Sequence, residues 1–420
     1  MDKTKEPSPC LKRVILGICV LLVTAVVGYL LLVLVYCIPV EGMYNNMVSS
    51  CDIFEKEGTY PKKLWNYNSR LDNYSDAIML MMASQKSDES TWKAALNNET
   101  YFELMPDEIF VDVFANGNTD HNIFPYIRYW HGYQVFLKPL AYVMNYRGIR
   151  VVMIVCQMCI IAMLIYQCMK YDKRIVLPVI GLWIFLNPIA TMLSIQLSTV
   201  TVVTFVNLII VMILSHKEIR DRKLTWDIVF LLNGCATVYF STLTFPILAW
   251  GAPLVLWYYL NVQENHTGIA DIFELSAFWG AGFAGMWAAK WVIGTILTGT
   301  DMIGDAIHQA TIWSSSDIGR LQMYFEALLR NCGAAVQISV AFYILYMMVR
   351  IFRILRRRRY NIKPFIVYLL IMIAPFVWYF ITVKHAYVHY WFTYRNMGMS
   401  VLALHLVLLK MQEEEGLADG

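Results

Sequence analysis

Long apolar runs constrain this chain more than any other feature, because about 20 consecutive apolar residues fit a helix that crosses a bilayer. The first run covers residues 14–39, follows Arg13 and has no small-residue cleavage site, which predicts a retained signal anchor. Only 15% of the 420 residues are charged and the mean hydropathy is +0.49, so the sequence predicts an integral membrane protein. With the later runs, about ten spans are predicted, the others near residues 150–169, 175–194, 196–214, 226–242, 247–260, 275–297, 333–351, 364–383 and 396–411.

Basic residues predict the orientation of these spans. Groups of Lys and Arg precede residue 14 and follow residues 169, 214 and 352, and all fall on one side if ten spans alternate. Both termini are therefore predicted to be cytoplasmic, in a plasma membrane that we interpret as bacterial. The predicted fold is an all-α integral membrane protein of about ten transmembrane helices with a large, mostly helical first extracytoplasmic loop. Within that loop, residues 75–85 and 107–117 are predicted to form amphipathic helices that lie along the membrane surface or against other spans. Its parts are a cytoplasmic N-terminus (1–13), a first transmembrane helix (14–39), an extracytoplasmic loop with interfacial or re-entrant helices (40–149), a polytopic transmembrane domain (150–411) and a cytoplasmic tail (412–420).

Several other function classes are disfavoured by the motifs. The basic run RILRRRRYNIK, residues 353–363, is typical of an orientation signal beside anionic lipid head groups, and we predict no nucleic-acid partner. Neither a P-loop nor a GxGxxG motif after a strand occurs, which disfavours a soluble nucleotide-sugar site. Cys156 and Cys159 lie inside an apolar run and predict core packing, whereas Cys51 and Cys332 both face outward in this topology and their pairing stays open.

The ionisable residues that could bind or react with a ligand are concentrated on the predicted extracytoplasmic side. The first group lies in LDNYSDAIMLMMA, residues 71–83. Asp72 and Asp76 are four residues apart and share one face if this segment is a helix, and Arg70 stands beside them in the sequence. Glu41, at the outer end of the first apolar run, is a third carboxylate of the same region. The functional interpretation is a carboxylate base at the membrane surface, and the structural alternative is a helix start with Asp72 as cap and Asp76 complementing the dipole.

The second polar group lies in IRYWHGYQVFLKPLAYVMNYRGIR, residues 127–150. It carries Arg128, Trp130, His131 and Lys138, and its apolar part is too short to cross a membrane and is broken by Lys138-Pro139, so it is predicted to lie at the interface or to re-enter. The structural alternative is an aromatic and basic belt that anchors the next helix. The functional interpretation is a set of cations that binds a phosphate at head-group depth.

The third group is HAYVHYWFTYRN, residues 385–396. His385 and His389 are spaced as on one helix face, but two histidines alone make a metal site the weaker interpretation. With Tyr394 and Arg395 they are candidates for a phosphate or sugar site, since ionisable groups near a membrane tend to mark ligand pathways. Snorkelling of interfacial side chains is the structural alternative.

These three motifs and their order resemble the GT-C superfamily of polytopic glycosyltransferases, such as protein O-mannosyltransferases and the aminoarabinose transferase of lipid A. The resemblance is architectural: one span, a long outer loop with an acidic motif, and a basic, aromatic stretch, here YWHGYQVFLKPLAYVMNYRGIR, entering the next span. The family's acidic motif lies nearer to the first span than Asp72 does, which keeps Glu41 and Asp76 as alternatives for the base.

The resemblance implies an inverting transfer of a sugar from a polyprenyl-phosphate donor to a glycan, lipid or protein acceptor at the outer face. Asp72 would be the base, with Asp76 and Glu41 as alternatives. The predicted phosphate and sugar set is Arg128, Trp130, His131, Lys138, His385, His389, Tyr394 and Arg395. No cofactor is implied, and a divalent metal stays an open alternative. Membrane lipids are the other predicted partners.

Other classes of membrane protein are the main alternatives. A transporter or lipid flippase predicts charges midway along spans, broken helices and an internal repeat. An envelope polysaccharide polymerase also acts on lipid-linked sugars but tends to carry its large loop late in the chain, whereas here the large loop comes early. A scaffold without catalytic activity also remains open, because fold-level analogy does not establish activity.

Overall fold

The computed structural model describes residues 9–101, 105–219, 222–261, 268–336, 345–346, 348–349, 352 and 365–418, and is about 80% helical. The predicted all-α class is therefore confirmed at this level. Most of the predicted run 333–351, the basic cluster at residues 353–363 and the lysines at positions 3 and 5 lie outside the described residues.

The long first loop folds into short helices and one small sheet. Two strands, β1 (Glu99–Tyr101) and β2 (Ile123–Pro125), pair antiparallel with Thr100 opposite Phe124. Around it lie α2 (Tyr44–Val48), α3 (Cys51–Glu57), α4 (Asn73–Ser84), α5 (Thr91–Asn97), α6 (Pro106–Ala115) and α7 (Gln134–Val143).

The other helices form a bundle with α1 (Pro9–Tyr36). We call the end at which α1 ends and α8 begins the loop end of the bundle. In chain order the helices are α8 (Tyr146–Tyr171), α9 (Val176–Phe185), α10 (Pro188–Leu193), α11 (Ile195–Ser215), α12 (Arg222–Phe240), α13 (Ile247–Asn261), α14 (Ile269–Thr298), α15 (Met302–Ser314), α16 (Arg320–Ala335), α17 (Ile366–Ile381), α18 (Val383–Val388), α19 (Tyr390–Thr393) and α20 (Gly398–Ala418).

Three helices are long and apolar enough to cross a membrane, namely Leu11–Tyr36, Tyr146–Tyr171 and Ile195–Ser215. Ile366–Ile381 is a shorter apolar helix. These helices suggest membrane association, whereas the ten-span topology and its orientation stay predictions. The predicted span 175–194 is not one helix, because Asn187 takes a left-handed conformation (φ +57°) and Pro188 starts α10.

Small residues let two bundle helices approach closely. A Cβ atom on Gly234 of α12 would lie 2.1 Å from the backbone oxygen of Trp279, and one on Gly282 of α14 would lie 2.0 Å from that of Leu231. Helices in lipid commonly associate through such contacts, since there is little hydrophobic driving force between apolar surfaces there. At the end opposite the loop end, Arg13 pairs with Asp227 at 2.6 Å and with Glu274 at 2.7 Å, which joins α1, α12 and α14.

The predicted helices at residues 75–85 and 107–117 are confirmed as α4 and α6. The sequence left two settings open for α4, the membrane surface or the face of other helices. Its residues from Asp76 to Ala83 are all buried, so α4 takes the second setting and forms the centre of the loop segment's core. That position fixes Asp72 and Asp76, which stand at its first turn.

Candidate functional site

Asp72 caps the N-terminus of α4. Its carboxylate accepts hydrogen bonds from the backbone N–H of Ser75 at 3.1 Å and from the Ser75 hydroxyl at 2.9 Å. The residue is 2% exposed and has no ion pair within the described part of the chain. Burial, and then the charge of Asp76, raise the pKa of Asp72 to about 7. This carboxyl group therefore exchanges its proton near neutral pH.

Asp76 has a different environment one helical turn later. Its carboxylate accepts hydrogen bonds from the hydroxyls of Tyr146 and Ser194 and from the backbone N–H groups of Ile195 and Gln196. The last two belong to the first turn of α11, so Asp76 satisfies donors that the helix leaves without partners. Burial raises the pKa of Asp76 to about 6, a smaller shift than at Asp72 because these donors stabilise the ionised form.

An ion pair extends the contacts of Asp76 to α3. Arg150 binds both oxygens of Glu57 at 2.9 and 2.8 Å, and it also donates to the Asn73 side chain at 2.9 Å and to the Tyr146 hydroxyl at 3.2 Å. Although burial opposes it, the hydrogen bonds from Arg150 and Lys63 lower the pKa of Glu57 to about 2. We call Glu57, Asp76, Tyr146 and Arg150 the Asp76 network. It joins α3, α4, α8 and α11.

Aromatic rings surround the start of α4. The ring of Tyr60 stacks on that of Tyr74 with centroids 6.0 Å apart and meets the ring of Trp391 edge-on at 5.4 Å. Burial, and then nearby charges that include Asp72, raise the pKa of both tyrosine hydroxyls. We call Tyr60, Arg70, Asp72, Tyr74 and Trp391 the Asp72 cluster.

Arg70 is held in this cluster by aromatic faces. Its guanidinium carbon lies 5.6 Å from the ring centroid of Tyr60, 5.3 Å from that of Tyr67 and 5.7 Å from that of Trp391. Among the described residues no acid pairs with it, and its buried Nε–H has no hydrogen-bond partner. A guanidinium group positioned in this way can donate two hydrogen bonds to a phosphate or carboxylate.

His385 and His389 continue the aromatic surface beyond Trp391. Their ring centroids are 5.1 Å apart, and Trp313 of α15 lies 5.7 Å from the first and 5.2 Å from the second. Phe392 stacks on His389 and also contacts Trp391. Burial lowers the pKa of His385 to about 3 and that of His389 to about 4, so both rings are neutral near pH 7.

Arg395 connects the segment of the third motif to the first loop. Its guanidinium group donates to the backbone oxygens of Leu186 at 2.7 Å, Asn68 at 3.0 Å and Trp391 at 3.3 Å. The side chain is fully buried and packs over the ring of Tyr394, which is also fully buried. Asn68 lies four residues before Asp72, so Arg395 of the third motif contacts the segment that leads to Asp72.

Trp130 and His131 of the second motif are packed among neighbours. Trp130 donates through Nε1 to the backbone oxygen of Met286 at 2.7 Å. The ring nitrogens of His131 contact the Tyr133 hydroxyl and the Tyr126 backbone oxygen, both at 2.8 Å. Burial lowers the pKa of His131 to about 3, so a positive charge on this ring is disfavoured at neutral pH.

Lys138 and Glu41 lie away from the Asp72 cluster. Lys138 is buried and donates at 2.5 Å to the backbone oxygen of Ala83 at the C-terminal end of α4, where a cation complements the helix dipole. Burial lowers the pKa of Lys138 to about 8. Glu41 is exposed and lies 3.7 Å from Lys86. The structure therefore groups Asp72 with the third motif more closely than with these two residues.

Arg128 is paired with an acid of the bundle. Its Nε and Nη2 donate to the two carboxylate oxygens of Asp305 in α15, at 3.0 and 3.4 Å. The guanidinium carbon also lies 4.9 Å from the ring centroid of Tyr126. Burial raises the pKa of the Tyr126 hydroxyl, and the charge of Asp72 contributes to this increase. Arg128 is thus a second cation close to Tyr126, on which the charge of Asp72 also acts.

Two residues were missed by the sequence interpretation as candidate site residues. Arg70 stands two positions before Asp72, but its environment depends on Trp391, which is far away along the chain. Asp107 follows Pro106 in the first turn of α6, where an acidic residue that complements the helix dipole is common. In the structure Asp107 is buried, one carboxylate oxygen accepts from the Thr59 hydroxyl at 3.0 Å, and the other oxygen has no partner in the described chain.

The described residues contain no group of three or more His, Cys, Asp or Glu side chains that could hold a metal ion. Cys51 and Cys332, whose pairing the sequence left open, are both free thiols. Comparisons of the chain with models of known protein families, with curated proteins and with solved structures found no match.

Proposed function

We propose that this protein is an integral membrane glycosyltransferase that moves a sugar from a polyprenyl-phosphate donor to an acceptor hydroxyl. The observation that carries the proposal is the Asp72 cluster: a buried carboxylate and an arginine, neither with an oppositely charged partner among the described residues, both lie close enough to Tyr60 for their charges to affect its hydroxyl. A base and a cation placed together in this way suit a displacement in which a hydroxyl loses its proton as a phosphate leaves.

Asp72 accepts the proton of the acceptor hydroxyl in this proposal. Its pKa of about 7 gives a substantial ionised fraction at neutral pH together with a useful basicity. Arg70 donates to the phosphate oxygens that gain charge as the bond to the sugar breaks. The faces of Tyr60 and Trp391 stack against the apolar faces of sugar rings, since ligand pockets are commonly lined by aromatic side chains. A single displacement of this kind inverts the anomeric carbon.

The setting of the enzyme is part of the same proposal. We place the loop end of the bundle at the outer face of a plasma membrane, with both termini in the cytoplasm. This placement is supported by Arg13, Asp227 and Glu274, which meet at the opposite end, where the basic residues of the sequence predict the cytoplasmic side. A donor with a lipid anchor then presents its phosphate at the depth of the loop segment.

Transfer assays on the purified protein in liposomes test the proposal. The donors are polyprenyl-phosphate hexoses and amino sugars, and the acceptors are lipids and glycans extracted from bacterial membranes. We expect transfer from one donor with inversion, and a rate at least about 100-fold lower for Asp72→Asn. Asp52→Asn is the matched control, because Asp52 is a surface acid of the same loop. Equal rates for Asp72→Asn and the wild type would refute the role of Asp72, and no transfer from any donor would refute the proposed activity.

A lipid or sugar transporter is the second candidate, favoured by one observation. The break between α9 and α10 places Asn187, with its left-handed backbone, next to Asn68, to which its side chain donates at 3.1 Å. Helices interrupted within the bundle are a feature of transporters. Movement of fluorescent lipid-linked sugar between liposome leaflets, without chemical transfer, would favour this candidate.

A further inference from the structure

The helix α15 contacts both sides of the candidate site. Asp305, in its first turn, pairs with Arg128, and Trp313, near its last residue, packs on His385 and His389. Eight residues separate Asp305 from Trp313, which corresponds to about 12 Å along a helix. The helix therefore reaches from Arg128 at one end to the third motif at the other.

Two glycine turns flank α15 along the chain. Gly299 before it and Gly319 after it both take positive φ angles, +77° and +88°, which other residues adopt at a cost. Met302 is buried at the start of the helix, whereas Ile307 at its middle is 61% exposed. The helix is thus a short element between two glycine turns, packed through Met302 and Ala306 and exposed at Ile307.

The ion pair between Arg128 and Asp305 is the main polar contact of this helix with the loop segment. Both side chains are partly exposed, at 21% and 26%, so an anion from solvent or from a ligand can reach the guanidinium group. A partly exposed ion pair contributes roughly 1 kcal/mol or less, which a phosphate monoester with two negative charges can exceed. In the proposed reaction, the polyprenyl phosphate that leaves the sugar is such a monoester.

We propose that Arg128 is an anion-binding position of the site, that Asp305 occupies it in the present state, and that a phosphate group of a ligand displaces Asp305 and releases α15. The position accepts the phosphate of a lipid or of a soluble ester. The identification of that phosphate with a sugar donor or acceptor rests on the proposed function, whereas the anion site itself does not.

Binding of dodecyl phosphate to the full chain in phosphatidylcholine nanodiscs tests this inference, with glycerol phosphate as the soluble probe. Asp305→Asn removes the competing charge and keeps the side-chain shape, so we expect about tenfold tighter binding of dodecyl phosphate. Arg128→Gln weakens binding with or without Asp305→Asn. The matched control is Asp317→Asn, since Asp317 pairs with Lys384 at 2.9 Å and not with Arg128. Tight binding of glycerol phosphate as well would identify a soluble ester as an acceptable source of the anion.

A fluorescent label at position 307, in a chain freed of other reactive cysteines, reports the position of α15. We expect saturating dodecyl phosphate to change its emission in the wild type, and Asp305→Asn to show much of that change without ligand. Unchanged affinity in Asp305→Asn, with thermal unfolding like the wild type, would overturn the inference, as would an unresponsive label. These outcomes are independent of transfer: if Asp72→Asn retains full activity while Asp305→Asn binds tighter, the proposed function fails and the anion site stands.

Discussion

Asp72 and Asp76 lie one turn apart on the same helix, yet they belong to regions with opposite character. Asp76 receives hydrogen bonds from four donors and sits beside the ion pair of Arg150 and Glu57. Among the described residues, the Asp72 carboxylate receives hydrogen bonds from Ser75 alone, and burial together with its charge raises the pKa of the nearby hydroxyls of Tyr60 and Tyr74. A network whose carboxylates are paired with donors and a cation stabilises a fold, whereas a buried charge without a partner costs stability and is typical of sites that act on a ligand.

Arginines show the same difference. Arg150 binds both oxygens of Glu57, which is the arrangement expected of a structural ion pair. In the described part of the chain Arg70 pairs with no acid, and its guanidinium group lies near the aromatic rings of Tyr60, Tyr67 and Trp391. The Asp76 network therefore holds α3, α4, α8 and α11 together, and the Asp72 cluster is free to respond to a ligand. Four substitutions or conditions test whether these two regions are separate in stability and in activity.

The largest effect is expected for Asp76→Ala. The substitution leaves two hydroxyls and two backbone N–H groups of the buried network without an acceptor, and we expect the free energy of unfolding to fall by about 3–5 kcal/mol. Thermal unfolding of the detergent-solubilised chain measures the loss. Asp72→Asn is the control and should unfold like the wild type or at higher temperature, because Asn is an equally good N-cap and removes a buried charge. Similar destabilisation by both substitutions would show that the two regions are one network.

Arg70→Gln should act on transfer and leave stability unchanged. The glutamine keeps a polar side chain but removes the charge and the paired donors, so we expect about a 10- to 100-fold lower kcat/KM for the lipid-phosphate donor. Arg147→Gln is the matched control, since Arg147 is exposed and pairs with the surface acid Asp52 at 2.9 Å. A loss of thermal stability without a specific loss of transfer would assign Arg70 to packing.

The pH dependence separates the two carboxylates further. Asp72 must be ionised to accept a proton, so the transfer rate should rise about tenfold per pH unit at low pH and level off above its pKa of about 7. The same raised pKa means that the native state binds this proton more tightly than the unfolded chain does. Its contribution to stability is therefore complete below about pH 4 and is lost as the pH rises through 7. Rates and unfolding temperatures measured from pH 5 to 9, with Asp72→Asn for comparison, test both trends: the transfer rate should rise with pH and the stability contribution should fall.

The helices of this fold were largely predictable, because apolar runs and caps are local features. The predicted helices at residues 75–85 and 107–117 are present, and the apolar runs at residues 150–169 and 196–214 lie on helices of spanning length. The predicted span at residues 175–194 was wrong as a single helix, since hydropathy does not register the break at Asn187 and Pro188.

The candidate site was predictable only in part, because its contacts join distant parts of the chain. The spacing of Asp72 and Asp76 was visible, but the capping of α11 by Asp76 depends on a helix that starts more than 100 residues later. Arg395 was noted as a cation, and nothing in its sequence neighbourhood indicates that three backbone oxygens would bind it. Charge patterns identify which residues are unusual, and the partners of those residues require the fold.

The smallest effect is expected for His389→Gln, which tests how far the Asp72 cluster extends. Near pH 7 the ring is neutral, because burial lowers its pKa to about 4, so the substitution removes no positive charge from the site. It removes the ring stacking on Phe392 and the contact with Trp313, and we expect transfer to change by about twofold or less. A loss of tenfold or more, comparable to that of Arg70→Gln, would mean that His389 contacts the ligand directly. In that case the third motif and the Asp72 cluster would form one binding surface, and α15, which packs on His389 through Trp313, would cover it.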